Sequence, residues 1–377
     1  MGPVRFVWVN ARHFGTGPSV LPLCAAGFVT AFGAHGVASG LGFLQADLLT
    51  LGLLLAIYDG AEVVLKPVFG SLADRIGPRP VLLGGLIAFA VASSAFVLID
   101  NVAVARFGQG VAAAAFSPAA SAMVARLTPD NARGKAFGRY GAWKGIGYTA
   151  GPLLGGVLIH FGSFDVLFLT MAAMAVAVAA WALTVPNLEP LPRERQTVRD
   201  LAKRLSHRDF LRPTAALAAS TAALATGVGF LPVKAAVHGS VVTGAAVSLL
   251  AITAAVVQPR AGKAMDAGRL TTRTGTRVGL LAAAAGFAAA AGIPGLAGTL
   301  IAAVLIGAGA GAVTPLAFAA LARTTPEERM GQTMGSAEVG RELGDAGGPL
   351  LVGGLAAVAS LPVGLLGLAA VIALTAW

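Results

Sequence analysis

The sequence predicts an all-α integral membrane protein: twelve transmembrane helices in two pseudo-symmetric six-helix bundles. Three observations predict it. The chain is 56% hydrophobic but only 12% charged, against about 25% charged in a soluble domain, and its mean hydropathy is +0.79. Its apolar stretches are continuous and rich in Ala, Leu and Gly, without the two-residue alternation of barrel strands. A charged segment, Gly70–Pro80 (GSLADRIGPRP), returns in weaker form as Gly262–Arg269 (GKAMDAGR) half a chain later, which implies two related halves.

A membrane-crossing helix needs roughly 20 apolar residues, so 377 residues with short loops hold twelve. A lead-in over 1–19 precedes them, carrying Arg5 and Arg12 but no cleavable signal pattern. The first bundle, 20–185, is read as spans 20–43, 49–71, 81–99, 103–126, 138–160 and 164–185. A linker, 186–211, holds Arg193, Arg195, Arg199, Lys203, Arg204 and Arg208, and its 197–211 part suits an amphipathic helix on the headgroups. The second bundle, 212–377, is read as spans 212–234, 241–261, 277–293, 296–322, 333–357 and 361–377.

The net charge of +10 does not point to nucleic acid, because lysine and arginine concentrate in alternate loops. Arg75, Arg79, Arg133, Lys135, the linker set, Lys263, Arg269, Arg273, Arg323 and Arg329 follow the even-numbered spans. That bias predicts two cytoplasmic termini; the expected location is the plasma membrane. Cys24 is the one cysteine, so no internal disulfide forms.

The duplication extends beyond the charged turn. Pro118 and Arg126–Pro129 recur as Pro315 and Arg323–Pro326, 197 residues on. Gly147, Gly151-Pro152 and Lys144 match Gly344, Gly348-Pro349 and Arg341 at the same offset. Parallel repeats place a solute path between the halves, near the midplane.

At these residues the chain resembles the major facilitator superfamily, and within it twelve-span proton-coupled drug or solute exporters. Gly70-x-x-x-Asp74-Arg75-x-Gly77-x-Arg79 is similar to the loop 2–3 signature, with Pro78 in place of a usual basic residue. Arg106-x-x-Gln109-Gly110 resembles the fourth-span signature, and Gly147-x-x-x-Gly151-Pro152 the fifth-span signature associated with export. The resemblance implies a secondary transporter, not an enzyme, with a proton gradient as energy source and no bound cofactor. It also implies that Gly70, Asp74, Arg75, Gly77 and Arg79, with Asp266 in the weaker copy, latch the two halves on the cytoplasmic side. Asp74 suits that role chemically, since a carboxylate accepts from the unpaired N–H groups at a helix start.

Charges inside the spans are the other signal, at a cost of ~2.5–3.5 kcal/mol each at a bilayer centre. Asp59, Glu62 and Lys66 share one face of span 2. Glu62 and Lys66 can neutralise each other, which leaves Asp59 to carry a proton. Glu338, Arg341, Glu342 and Asp345 form one stripe on span 11. Three carboxylates about one guanidinium cannot all ionise cheaply, so this stripe also suits proton binding; Glu338 alternatively belongs to the latch. The candidate proton carriers are therefore Asp59, Glu62, Glu342 and Asp345.

Candidate solute contacts are Tyr140, Lys144 and Tyr148 on one stripe of span 5, Arg341, Arg106 and His35. Lys144 and Arg341 either hold an anionic group or satisfy Glu62, Glu342 or Asp345. Arg106 needs a partner, for which Asp59 or a solute carboxylate is expected. Gly147, Gly151, Pro152, Gly348 and Pro349 are candidate gating positions, since an internal proline removes a helix bond; tight packing is the alternative. No metal-ligand cluster, phosphate-binding loop or nucleophilic triad is evident. The expected partners are a small-molecule substrate and the lipid bilayer, with the chain a monomer. Proton-coupled efflux is the leading expectation; proton symport of an anionic metabolite and lipid flipping are the alternatives.

Overall fold

A computed structural model describes residues 20–36, 48–99, 101–192, 205–235 and 240–377. The lead-in with Arg5, Arg12 and His13, most of the loop after the first span, linker residues 193–204 and His238 lie outside them. Twelve α-helices and two single-turn 3₁₀ segments occur among the described residues, without a strand. The first six are α1 (Leu21–Gly36), α2 (Leu48–Ile76), α3 (Pro78–Ile99), α4 (Val102–Leu127), α5 (Arg133–Phe161) and α6 (Phe164–Ala182). The second six are α7 (Arg208–Ala235), α8 (Ser240–Asp266), α9 (Thr272–Gly292), α10 (Gly295–Thr324), α11 (Met330–Val358) and α12 (Leu361–Thr375).

Helices are the only open-ended elements that satisfy every backbone polar group away from water. Seven of these, α3, α4 and α6–α10, are long and apolar enough to cross a membrane by length and composition. Polar interruptions, where charge concentrates, mark α2, α5 and α11, and these helices meet at the centre. One apolar core is centred on α1 and α3–α6 and runs on into the second half through α8, α10 and α11; the other lies on α7–α10 and α12.

The two principal joints between the halves mirror each other: α2 packs on α11, and α8 packs on α5. Glycines make both crossings possible. A Cβ on Gly70 would strike the carbonyl of Gly331, and one on Gly331 would strike that of Gly70. Gly262 and Gly134 stand in the same reciprocal relation.

The structure corrects the extent of the charged turn. Gly70–Ile76 is not loop but the last turns of α2, and α3 begins at Pro78. Only Gly77 separates them, at a φ of 94° that favours glycine. Gly268, at 69°, ends the mirrored segment after α8. Likewise α5 and α7 begin at Arg133 and Arg208, ahead of the expected 138 and 212.

Candidate functional site

At the arginine-rich end, two carboxylates fasten the halves together. Asp74, on the last turn of α2, accepts from the backbone N–H of Gly331 at 2.7 Å and of Gln332 at 2.8 Å, at the start of α11. Asp266, on the last residue of α8, accepts from the N–H of Gly134 at 2.9 Å and of Lys135 at 2.6 Å, at the start of α5. Each satisfies donors that a helix start leaves unpaired, with the charge favoured there by the helix dipole. Arg79 donates to the carbonyl of Leu183, and Arg75 is exposed.

Deeper in the α2–α11 joint lies a buried ion network. The Lys66 ammonium is 2.9 Å from Glu62, 2.5 Å from Glu342 and 3.5 Å from Glu338. Glu338 also accepts from Ser117 at 2.5 Å and Ser121 at 2.7 Å on α4, and lies 3.4 Å from Lys144 on α5. It therefore joins the halves in the interior, not at the loop. Removing lone charges from water is costly, and pairing each with several partners is what makes such burial tolerable.

Carboxylate oxygens of Asp59, Glu62 and Glu342 lie within 4.8 Å of one another. The spacing could accept a metal ion, but the Lys66 ammonium already supplies a cation beside two of them. Asp59 makes no hydrogen bond or ion pair among the described residues. On the other flank, Tyr148 donates to Asp345, His35 approaches Asp345 at 3.8 Å, and the His35 and Tyr148 rings lie 3.6 Å apart.

Arg106 departs from expectation. Its guanidinium donates to the carbonyls of Gly33 at 2.8 Å and Ala34 at 3.1 Å, and it lies 4.2 Å over the Tyr58 ring. Backbone dipoles and a π face therefore replace the expected carboxylate. The candidate gating glycines also pack within their own halves. Gly147 and Gly151 seat α5 on α1, while Gly344 and Gly348 seat α11 on α7. Helix α11 runs unbroken through Pro349, and the side chain of Pro152 lies outside the described residues.

A cavity opens at the α5–α8 joint. Tyr140, Lys144, Tyr148 and Arg341 line it, together with Gln258, Thr314 and Phe318, and Leu224, Val228 and Leu250 form an apolar end. Asp59, Arg106 and His35 are not on its wall. The repeat explains why the cavity lies here. Asp59, Glu62 and Lys66 correspond, 192 residues on, to Ala251, Ala254 and Gln258, in register with Pro67/Pro259, Gly70/Gly262 and Asp74/Asp266. Glu338 and Glu342 correspond, 197 residues back, to Gly141 and Gly145. All five replacements line the cavity. One joint is thus filled with charge, and its mirror image is hollow because small residues stand where that charge would be.

Sequence reasoning missed Ser117, Ser121, Gln258, Thr314 and Phe318. The one available signal was the Lys66-Pro67 and Gln258-Pro259 pair.

Known proteins share this architecture. The human organic anion transporter MFSD10 (TETRAN) superposes with a TM-score of 0.80 at 17% identity, over 95% of this chain and 98% of that one. The E. coli fucose:proton symporter FucP gives 0.76 at 14% identity, over 95% and 97%. Among curated relatives, the inner membrane transport protein YajR of E. coli (strain K12) is 29% identical over 164 residues, 42% of this chain and 36% of that protein. The class E tetracycline resistance protein of E. coli is 38% identical over 109 residues, 28% of this chain and 26% of its own length. The quinolone resistance protein NorA of Staphylococcus aureus (strain N315) is 30% identical over 111 residues, 29% of each chain. The chain thus spans about a third or less of these curated relatives' length. The family model described as Major Facilitator Superfamily matches residues 23–349, and with the mirrored six-helix halves this places the chain in that superfamily as a membrane-spanning transporter and not an enzyme.

Proposed function

We propose that this chain is a proton-coupled exporter of a small organic solute in the plasma membrane, working by alternating access between its halves. The observation that carries the reading is the mirrored pair of carboxylate latches, Asp74 on α11 and Asp266 on α5. Four hydrogen bonds to helix starts close one end of the inter-half cavity, and they can part without unfolding either half. The lysine and arginine bias supports a cytoplasmic position for that end, and the latched geometry is then a state closed on that side.

Coupling rests on the carboxylates of α2 and α11. Three carboxylate oxygens within 4.8 Å repel one another, and a proton shared among them relieves that repulsion. Asp59, half-buried, is the member placed to exchange it. When the halves part, Lys66 leaves Glu338 and Glu342, which sit on the opposite half, and the demand for protons changes. Solute passage and proton passage are coupled through that one rearrangement. Export is supported by the names of the tetracycline and quinolone resistance relatives. Inward symport of an anion is the second reading, favoured by Arg341 at the cavity wall, which makes no ion pair among the described residues.

The test uses proteoliposomes with a pH-sensitive dye inside, an imposed pH gradient, and added tetracycline, a quinolone or an aromatic carboxylate. Proton movement triggered by a solute supports coupling, and its direction relative to solute flux separates antiport from symport. Asp59→Asn is expected to lose pH-driven flux while keeping solute exchange. Unaltered pH-driven flux in that variant would remove Asp59 from the mechanism.

A further inference from the structure

We infer that the cavity at the α5–α8 joint binds an organic anion, whose carboxylate or similar oxyanion takes the mirror-image place of Glu338. The inference rests on the reading of this cavity as the solute site and adds the chemical class of the solute.

The filled joint is the template. There the Glu338 carboxylate is held by Ser117, Ser121, Lys144 and Lys66. The corresponding positions at the hollow joint are Thr314, Phe318, Arg341 and Gln258, and all four line the cavity. Gly141 stands where the glutamate would be. The site therefore keeps a cation and a polar side chain but has lost the anion they would hold.

Neither Arg341 nor Gln258 has a hydrogen-bond partner among the described residues. Arg341 makes no hydrogen bond or ion pair among the described residues, and its Nε is buried without an acceptor. Gln258 is 3% exposed, and its carboxamide makes no hydrogen bond among the described residues; its Nε2 amide is the donor that an anion takes, whereas Oε1, buried without a partner, is an acceptor. Buried polar groups are ordinarily paired, and an arginine fork matches a carboxylate in shape and charge. The neighbouring Lys144 is already engaged by Glu338, whereas the Arg341 guanidinium on the cavity wall makes no direct ion pair among the described residues and is the cation open to a ligand.

The two hydroxyls of the template are not reproduced. The Thr314 hydroxyl donates to the carbonyl of Ala310 at 3.1 Å, and Phe318 has none. Phe318 instead sets a ring 5.9 Å from the Arg341 guanidinium, stacked on Phe137 at 5.4 Å. The anion therefore meets Arg341 and the Gln258 amide, with the Phe318 ring beside the guanidinium. Leu224, Val228 and Leu250 accept the remaining, apolar part of the molecule.

Calorimetric titration of the purified protein with 4-phenylbutyrate, 4-phenylbutanamide and 4-phenylbutylamine tests this without requiring transport. The acid is expected to bind about tenfold or more tightly than the amide, and the amine not to compete. Equal affinity for acid and amide, or no saturable binding of the acid, would overturn the inference. Arg341→Gln should erase the preference, whereas Arg341→Lys should keep part of it. Gly141→Glu should supply the missing carboxylate internally and abolish acid binding at an undiminished melting temperature. The Gln258 side-chain end, which its Cβ would meet, is free to swing aside. Should a variant fail to fold, the selectivity of the parent protein decides the matter alone. A carboxylate preference without proton-linked flux leaves the anion site standing and removes the coupling. Proton-linked flux of neutral or cationic solutes without a carboxylate preference does the reverse.

Discussion

Tyr148 and Asp345 are hydrogen-bonded partners 197 residues apart, the period of the internal repeat, so each is bonded to its own counterpart in the other half. The pair marks the pseudo-two-fold axis, and Lys144 and Arg341, one helical turn nearer the latches, are likewise counterparts. A symmetric ancestor would have placed identical side chains against each other here. This chain has a phenol facing a carboxylate and an ammonium near a guanidinium. Divergence at the axis lets a duplicated shell hold an asymmetric interior.

Replacing Tyr148 by Phe keeps the ring against His35 and removes the donor to Asp345. A charge-assisted hydrogen bond of this kind contributes about 1.5–3 kcal/mol. Tyr148→Phe should therefore melt several degrees lower than the parent in detergent, and Tyr148→Phe/Asp345→Asn should be little worse than the single variant. Additive losses would mean that the two side chains act independently.

The latches make a symmetric prediction. Asp74→Ala and Asp266→Ala each forfeit two hydrogen bonds to a helix start, and should raise the labelling rate of cysteines placed inside the arginine-rich face by similar factors. The double variant should exceed either. A response confined to Asp74→Ala would show that the mirrored contact at α5 does not hold the closed state.

Glycine at the crossings gives a sharper version of the same idea. A Cβ on Gly331 would meet the Gly70 carbonyl and lie 2.8 Å from Oδ1 of Asp74, so Gly331→Ala separates α11 from α2 and weakens the Asp74 bonds together. Gly84, with nothing near its Cβ position, is the control. Gly331→Ala should label faster on the arginine-rich face, and Gly84→Ala should label like the parent.

Legibility in the sequence followed the chemistry of each residue. Asp74 could be read because a carboxylate between apolar spans has few uses, and accepting from a helix start is one of them. The Glu62–Lys66 pair could be read because four residues make one helical turn. Glu338 and Glu342 as partners of the same lysine could not, because they arrive from α11, 276 residues further on in the case of Glu342. Arg106 was misassigned because backbone carbonyls, which satisfy it, leave no trace in a side-chain pattern. The cavity was least legible of all. Ala251, Ala254, Gly141 and Gly145 draw no attention in an apolar chain, and their meaning appears only when they are set beside Asp59, Glu62, Glu338 and Glu342.

Lys66 offers the most demanding test of the filled joint. It is fully buried, and it neutralises carboxylates from both halves. Deleting one member of a buried ionic cluster costs about 3–5 kcal/mol, because the charges left behind are uncompensated. Lys66→Met should therefore lower the melting temperature strongly at neutral pH. The sign of the pH response follows from what remains. Glu62 and Glu342 would lose their shared cation, while Glu338 keeps Lys144 at 3.4 Å, so protons must neutralise the stranded pair and the melting temperature of Lys66→Met relative to the parent should recover as pH falls. A triple variant, Glu62→Gln/Lys66→Met/Glu342→Gln, removes the stranded pair and should recover much of the loss at neutral pH. A deficit in Lys66→Met that is independent of pH would mean that the side chain stabilises the joint by packing alone.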